Sequence, residues 1–327
     1  WKFTFKNREW TLKKGLYKRG GEAYKTKEII RFEYELILKF SKKYDIKSLC
    51  RIFEVSRSGY YKWLKRKDTL NRYQVNRNHL KILINKYYES NPTWGYRRVS
   101  KQIEHDYGWI VSANLVFKVR KELKLTSIIR KKKYPKNNSS GDEHVKYPNL
   151  LNGDFTTSRP FEKVCTDTTM IGHKGKVYDL NLYIDLFNNE IVAYDLSPSN
   201  FGHGHENHYN ALKIFMKEKE KRGYINVETI LHSDQGPIYT SQAFNAQFDN
   251  TTIVRSMSRA GKPTDNPIIE SFNGWMKNEL EYDFKYKDKD NIYEVIKDYI
   301  NYHNNIRLSH ALEYKNPYQY KTDMGYA

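Results

Sequence analysis

Three acids in the second half of the chain stand where carboxylates can do chemistry. Asp167 lies inside a strand-like run, Val164-Cys165-Thr166-Asp167-Thr168. A carboxylate in a central strand is costly to bury without a cation or a metal beside it. Asp234 closes another such run, Leu231-His232-Ser233-Asp234-Gln235-Gly236. The glycine turn after it leaves the carboxylate at a strand end, where open α/β sheets place their sites. Glu270 follows Asn266 and Pro267, a good N-cap and a good first helical residue. It therefore falls in a first helical turn, where the helix dipole favours the ionised form and readies it to hold a cation. Any one of these acids alone would pass for a turn, cap or surface residue; the reading rests on the three together.

The elements that must position them follow from the pattern around each acid. Strand-like runs cover 164–171, 177–187 and 190–196, with Asn188-Asn189 suited to a tight hairpin turn. A helix is expected over 206–221, a fourth strand over 227–232, a short helix over 241–248 and a fifth strand over 252–257. A helix from 267 to about 280 closes the set, and 291–304 is a further helix. Three antiparallel strands followed by alternating helix and strand make an α/β layer with a mixed sheet.

The front of the chain has a different character. The 327 residues carry a formal net charge of +19, but the split is uneven. Residues 1–160 hold 38 Lys+Arg against 15 Asp+Glu, and residues 161–327 hold 19 against 23. So basic a half suits a polyanion, and nucleic acid in particular, through counterion release. Within it, residues 46–64 read as a helix-turn-helix: Leu49, Ile52 and Phe53 share one face, and Ser56 caps a second helix. Arg57, Ser58, Tyr60 and Lys62 are its candidates for DNA contact. Residues 79–130 form a second small helical region around the turn Asn91-Pro92-Thr93-Trp94-Gly95-Tyr96, with Arg97, Arg98, Lys118 and Arg120 as candidate DNA contacts. Arg130, Lys131 and Lys132 open a polar stretch that reads as a basic tether lying along a phosphate backbone. Residues 1–27, basic and aromatic, have no assigned element.

The spacing Asp167…Asp234-x₃₅-Glu270 resembles the retroviral-integrase-like DDE family. The segments His232-Ser233-Asp234-Gln235-Gly236, Ser256-Met257-Ser258-Arg259, Asp265-Asn266-Pro267 and Glu270-Ser271-Phe272 are similar to the second-frame (OrfB) transposases of bacterial insertion sequences with two reading frames. So are Val55-Ser56-Arg57-Ser58-Gly59-Tyr60-Tyr61, Trp94-Gly95-Tyr96-Arg97-Arg98 and Tyr302 through Pro317, in the expected order. The resemblance implies an RNase H-like core of five strands with helices over 159–282, preceded by helix-turn-helix domains over 28–70 and 75–130. A basic linker over 131–158 and a helical tail over 283–327 complete the organisation. It implies two Mg²⁺ ions, replaceable by Mn²⁺, held by Asp167, Asp234 and Glu270, and metal-dependent DNA strand cleavage followed by 3′-hydroxyl strand transfer. The implied partners are double-stranded DNA (terminal inverted repeats and target), further copies of the chain in a homo-oligomer, and a first-frame protein.

Asn273 and Lys277, one and two turns beyond Glu270, would face the same DNA phosphate. His232 and Asn266 would stand behind the acids. Two other classes compete: a DNA-binding regulator with an inert core, and a plain RNase H-like nuclease without strand transfer. The intact acids argue against the first and the large basic front half against the second.

Other signals are weaker. His203, His205 and His208 have spacing that permits metal ligation, but a loop entering a helix accounts for them more plainly. Asp179, Asp185 and Asp195 are further acids on strands, and Cys165 reads as a small core residue. Cys50 and Cys165 cannot make a disulfide framework. No run of about eighteen apolar residues offers a membrane span, and no leader is visible, so a cytoplasmic, nucleoid-associated location is expected.

Overall fold

A computed structural model describes residues 2–5, 8–11, 16–19, 22–129, 146–199, 206–259 and 265–326. The chain divides into two compact units, 1–79 and 80–327.

In the first unit, the segment without an expected element contains two antiparallel hairpins. Strand β1 (Lys2–Phe5) pairs with β2 (Arg8–Thr11), and β3 (Leu16–Arg19) with β4 (Glu22–Lys25). Helices α1 (Lys27–Phe40), α2 (Ile46–Ile52) and α3 (Arg57–Arg66) follow. Each begins at a side-chain cap: Thr26, Asp45 and Ser56 accept from backbone N–H groups that the helix leaves unpaired. Ile37, Leu49, Cys50 and Tyr60 form the core of the three helices. Tyr60 is expected from sequence near base edges, but it is 0% exposed and packs between Tyr34 and Trp63. Arg57, Ser58, Tyr61 and Lys62 occupy the exposed side of α3. A side chain at Gly59 would collide with the Tyr34 hydroxyl, so glycine lets α3 approach α1 this closely.

Helix α4 (Arg72–Ser90) crosses the boundary between the units, and α5 (Tyr96–Tyr107) and α6 (Ala113–Glu122) complete a second helical cluster. Leu80, Ile84, Val99, Ile103, Val116 and Val119 fill its interior. Arg120 also departs from expectation. It is 5% exposed, and its guanidinium donates to the Trp94 carbonyl (2.6 Å) and to Ser127 Oγ (3.3 Å). It holds the turn before α5 and is withdrawn from any DNA surface. Arg97 and Lys118 are exposed.

The rest of the second unit is a five-stranded sheet of order β7-β6-β5-β8-β9. Strands β5 (Lys163–His173), β6 (Lys176–Asp185) and β7 (Glu190–Pro198) make an antiparallel meander. Strands β8 (Thr229–Ser233) and β9 (Ile253–Met257) run parallel to β5. Parallel pairing needs crossovers; α7 (Glu206–Lys221) and the short α8 (Gln242–Asn245) lie on them. Alternation along the strands sorts side chains to two faces. Cys165, Leu180, Leu182 and Ile184 pack with α9 (Pro267–Tyr282) and α10 (Ile292–Asn305). Val164, Tyr183, Val192 and Leu231 pack with α7 and α8. Two segments read as linker and tail thus contribute to this core: Leu151 is buried in it, and so are Ile296 and Tyr299 of α10. A final helix, α11 (Pro317–Asp323), starts at an Asn316 capping box. Among the described residues no helix is long and apolar enough to cross a membrane.

Candidate active site

The parallel register of β5 and β8 sets Cys165 opposite His232. Two residues further along each chain stand Asp167 and Asp234, so adjacent strands bring the two aspartates side by side. Gly236 N–H donates to Asp234 Oδ1 (2.9 Å), and a Cβ at 236 would itself lie 2.9 Å from that oxygen. Glycine at 236 leaves that oxygen in place, whereas a side chain there would make it shift. Glu270 comes from the first turn of α9, on the helix layer that covers this face.

Asp167 is half-buried and Asp234 is open to solvent. Burial, then the charge of Asp234, then that of Glu270 push the Asp167 carboxyl up to about 7. The Asn273 amide works the other way, donating to Asp167 Oδ2 at 2.8 Å. Protein crowds Asp234 enough that desolvation raises its carboxyl too, and Gly236 N–H opposes the rise.

Among the described residues, no three His, Cys, Asp or Glu side chains stand close enough together to hold a metal ion as placed. The acids interact electrostatically without closing on a common point. Their chemistry nevertheless fits hard divalent cations: all the donors are carboxylate oxygens, and a cation would relieve the repulsion that raises Asp167.

Other expected residues fall in different places. Asn273 is buried, and its amide meets Asp167. Lys277 lies two turns beyond Glu270 and is half-buried. Asn266 occupies the position before α9, but its side chain makes no cap; its Oδ1 is buried without a hydrogen-bond partner among the described residues. His232 is fully buried. Ser256 Oγ accepts from Leu150 N–H and is hydrogen-bonded to His232 Nδ1 at 2.8 Å. Burial lowers this imidazole to about 4, so it is a neutral packing group tying β8 to β9. Arg98 pairs with Glu279 of α9. Arg130, Lys131, Lys132, His203 and His205 lie outside the described residues.

Asp185 is remote from the acids along the sheet. It sits opposite Val164, while Asp167 sits opposite Leu182, and it accepts from Phe161 and Phe187 N–H at a strand end. Cys165 is buried, and burial pushes its thiol up to about 12, which makes it an inert core residue. Sequence reasoning misses two residues around the site, Tyr239 and Arg255. The period-two face Ile253, Arg255, Met257 is the available signal, since an arginine on the buried face of a strand needs interior partners.

A mixed five-stranded sheet with one acid on a strand, a second just past the end of its parallel neighbour and a third on the covering helix defines an integrase-core protein. The comparisons agree: residues 157–263 and 251–317 each match a model of the integrase core domain, and 75–133 match an HTH-like domain. InsK of insertion sequence element IS150 of Escherichia coli K12 is 30% identical over 278 residues, covering 85% of this chain and 94% of that protein. The transposase for insertion sequence element IS904 of Lactococcus lactis is 29% identical over 232 residues, 71% of this chain and 88% of that one. The HTLV-2 integrase catalytic core domain, solved in complex with magnesium, aligns with a TM-score of 0.38 at 18% identity, over 49% of this chain and 96% of that chain. The chain belongs to the bacterial insertion-sequence transposases of the two-reading-frame (OrfB) group.

Proposed function

We propose that this transposase binds the terminal inverted repeats of its element, cuts a DNA strand there, and joins the freed 3′-hydroxyl to a target strand. The observation that carries the reading is that Asp167 on β5 and Asp234, just past the end of the parallel neighbour β8, lie close enough, with Glu270, for both charges to reach Asp167. Asp167, Asp234 and Glu270 would hold Mg²⁺, or Mn²⁺ in its place. Two such ions, when bound, would supply a deprotonated attacking oxygen and neutralise charge on the leaving oxygen of an in-line displacement.

The chain's own residues prepare that site. Asn273 turns one oxygen of Asp167 toward α9, and Gly236 N–H fixes one oxygen of Asp234. Lys277 sets a cation further along the helix that carries Glu270. In each step one phosphorus–oxygen bond forms as another breaks, first with water as nucleophile and then with the 3′-hydroxyl. In this reading residues 28–70 and 75–130 supply the DNA-binding domains. Arg57, Ser58, Lys62, Arg97 and Lys118 keep exposed positions suited to phosphate or base contact. A homo-oligomer would bring two element ends together.

The test uses a labelled element end with and without Mg²⁺. Asp234→Asn and Glu270→Gln are expected to keep end binding and to lose both cleavage and joining. Wild-type cleavage by either variant would refute the site.

A further inference from the structure

Behind the two aspartates runs a set of hydrogen bonds that the acid chemistry does not itself require. Arg255 on β9 is 4% exposed. Its guanidinium lies over the rings of Phe244 and Phe248. Its hydrogen-bond acceptors are neutral: Asn245 Oδ1 (3.1 Å), Ser233 Oγ (3.1 Å) and the Tyr239 carbonyl (3.4 Å). A guanidinium buried on neutral acceptors is expensive. Two of those acceptors, Ser233 and Tyr239, bracket the turn that presents Asp234. Asn245 Nδ2 also donates to the Tyr239 carbonyl (2.9 Å).

Tyr239 extends the connection to the other strand. Its hydroxyl lies 3.4 Å from Thr166 Oγ1 and 3.2 Å from Thr168 Oγ1, the neighbours of Asp167 on either side. Thr168 donates its own hydrogen to Asn181 Oδ1 of β6 (2.6 Å), so Tyr239 is the donor to Thr168. Side chains alternate along a strand, so Thr166 and Thr168 point to the opposite face from Asp167. The phenol therefore supports β5 from behind and does not reach the side where the carboxylate works.

We propose that Tyr239 and Arg255 are positioning residues that together tie the Asp234 turn to the strand flanking Asp167 and so set the separation of the two carboxylates. Arg255 pins both ends of the turn, and Tyr239 carries that constraint to β5. The tie rests on the reading of the acids as cation ligands, and its effect is on cation affinity.

The experiment titrates the full chain with Mn²⁺ alone, without DNA, followed by electron paramagnetic resonance. Tyr239→Phe deletes one hydroxyl from the tie, and Thr168→Val deletes the same hydrogen bond from its other end. Each is expected to weaken Mn²⁺ binding about 10- to 100-fold, the range typical when a group that orients a metal ligand is lost. The double variant is expected to lose less than the product of the two single losses, because both remove the Tyr239–Thr168 bond, and DNA cleavage is expected to recover at high Mn²⁺. Binding unchanged in both single variants, while Asp234→Asn abolishes it, would overturn the tie and leave the metal reading standing. Binding unchanged in Asp234→Asn as well would overturn the metal reading and the tie with it.

Discussion

Arg98 Nη1 donates to Glu279 Oε1 at 2.9 Å, joining α5 of the second helical cluster to α9, the helix whose first turn carries Glu270. Glu279 is buried, and it also accepts from Arg307 Nε (3.0 Å to each oxygen) and from the Tyr299 hydroxyl (3.0 Å). Next to this cluster, Thr93 gives its N–H and hydroxyl to Asp283, and Asn278 donates to the Ile128 carbonyl. Arg98, read from sequence as a candidate DNA contact, is thus part of a brace. It fixes the far half of the helix whose first turn carries the third acid of the proposed site.

The brace has an expected order of cost. Glu279→Gln would leave the buried Arg307 facing no carboxylate, which typically costs about 3–5 kcal/mol. Arg98→Ala would remove one charged hydrogen bond from an acid that keeps Arg307 and Tyr299, about 1.5–3 kcal/mol. Urea unfolding of the two variants should rank them in that order; equal or reversed losses would show that Arg98 and not Arg307 dominates the cluster.

Exposure sorts the basic residues into two groups for DNA binding. Arg57, Lys62, Arg97 and Lys118 are exposed, whereas Arg120 is interior and Arg98 is committed to Glu279. Replacing a phosphate-contacting member of the first group by Ala should lower the slope of log affinity against log salt by roughly 0.9. Arg98→Ala and Arg120→Ala should lower thermal stability and leave that slope alone. Electrophoretic mobility shifts across a salt series on an element end separate the two; a slope that falls for Arg120→Ala would contradict its interior placement.

The fold is legible in the sequence wherever one physical signal dominates. Alternating apolar runs place all five strands of the sheet, and Ser56 caps a helix where expected. The positions of Asp234 and Glu270 are legible because the strand end and the helix start beside them are marked by glycine, asparagine and proline. What stays hidden is partnership. Nothing local distinguishes Arg98, in a buried ion pair, from its exposed neighbour Arg97, or Tyr60 in the core from the exposed Tyr61. Those differences arise from residues remote along the chain, Glu279 for Arg98 and Tyr34 for Tyr60. The helical period puts Asn273 on the same face as Glu270 but cannot name its contact, because Asp167 lies more than a hundred residues before it.

Gly236 offers a steric test of the Asp234 turn. Gly236→Ala puts a methyl group 2.9 Å from the carboxylate oxygen that the same residue's N–H holds, so the carboxylate must turn aside. Cleavage at fixed Mg²⁺ is expected to fall at least about tenfold, with end binding kept and stability lowered by about 1 kcal/mol. A variant that cleaves normally would mean that Asp234 tolerates a different rotamer, and that its held orientation is not part of the chemistry.

Asp167 costs the metal-free chain stability as pH rises. Its carboxyl is raised from an ordinary 3.8 to about 7, first by burial and then by the charges of Asp234 and Glu270. Between those values the folded chain binds a proton that the unfolded chain has released. The stability contributed by protonated Asp167 is therefore full below about 3.8 and is lost as pH climbs through about 7. Asparagine carries no charge to lose. In chelator, Asp167→Asn should match the wild type near pH 4 and become the more stable chain by pH 7.5. The gap should stay well below the ceiling of about 4 kcal/mol set by a shift of this size, because Asp167 is only half-buried and water screens it. Asp185, also raised to about 7, titrates alike in both chains and cancels. Added Mg²⁺ should then stabilise the wild type alone, closing or reversing the gap. Denaturant unfolding at the two pH values, with and without Mg²⁺, checks each part; an Asp167→Asn chain no more stable than wild type at pH 7.5 in chelator would show that the acids do not strain one another when no cation is bound.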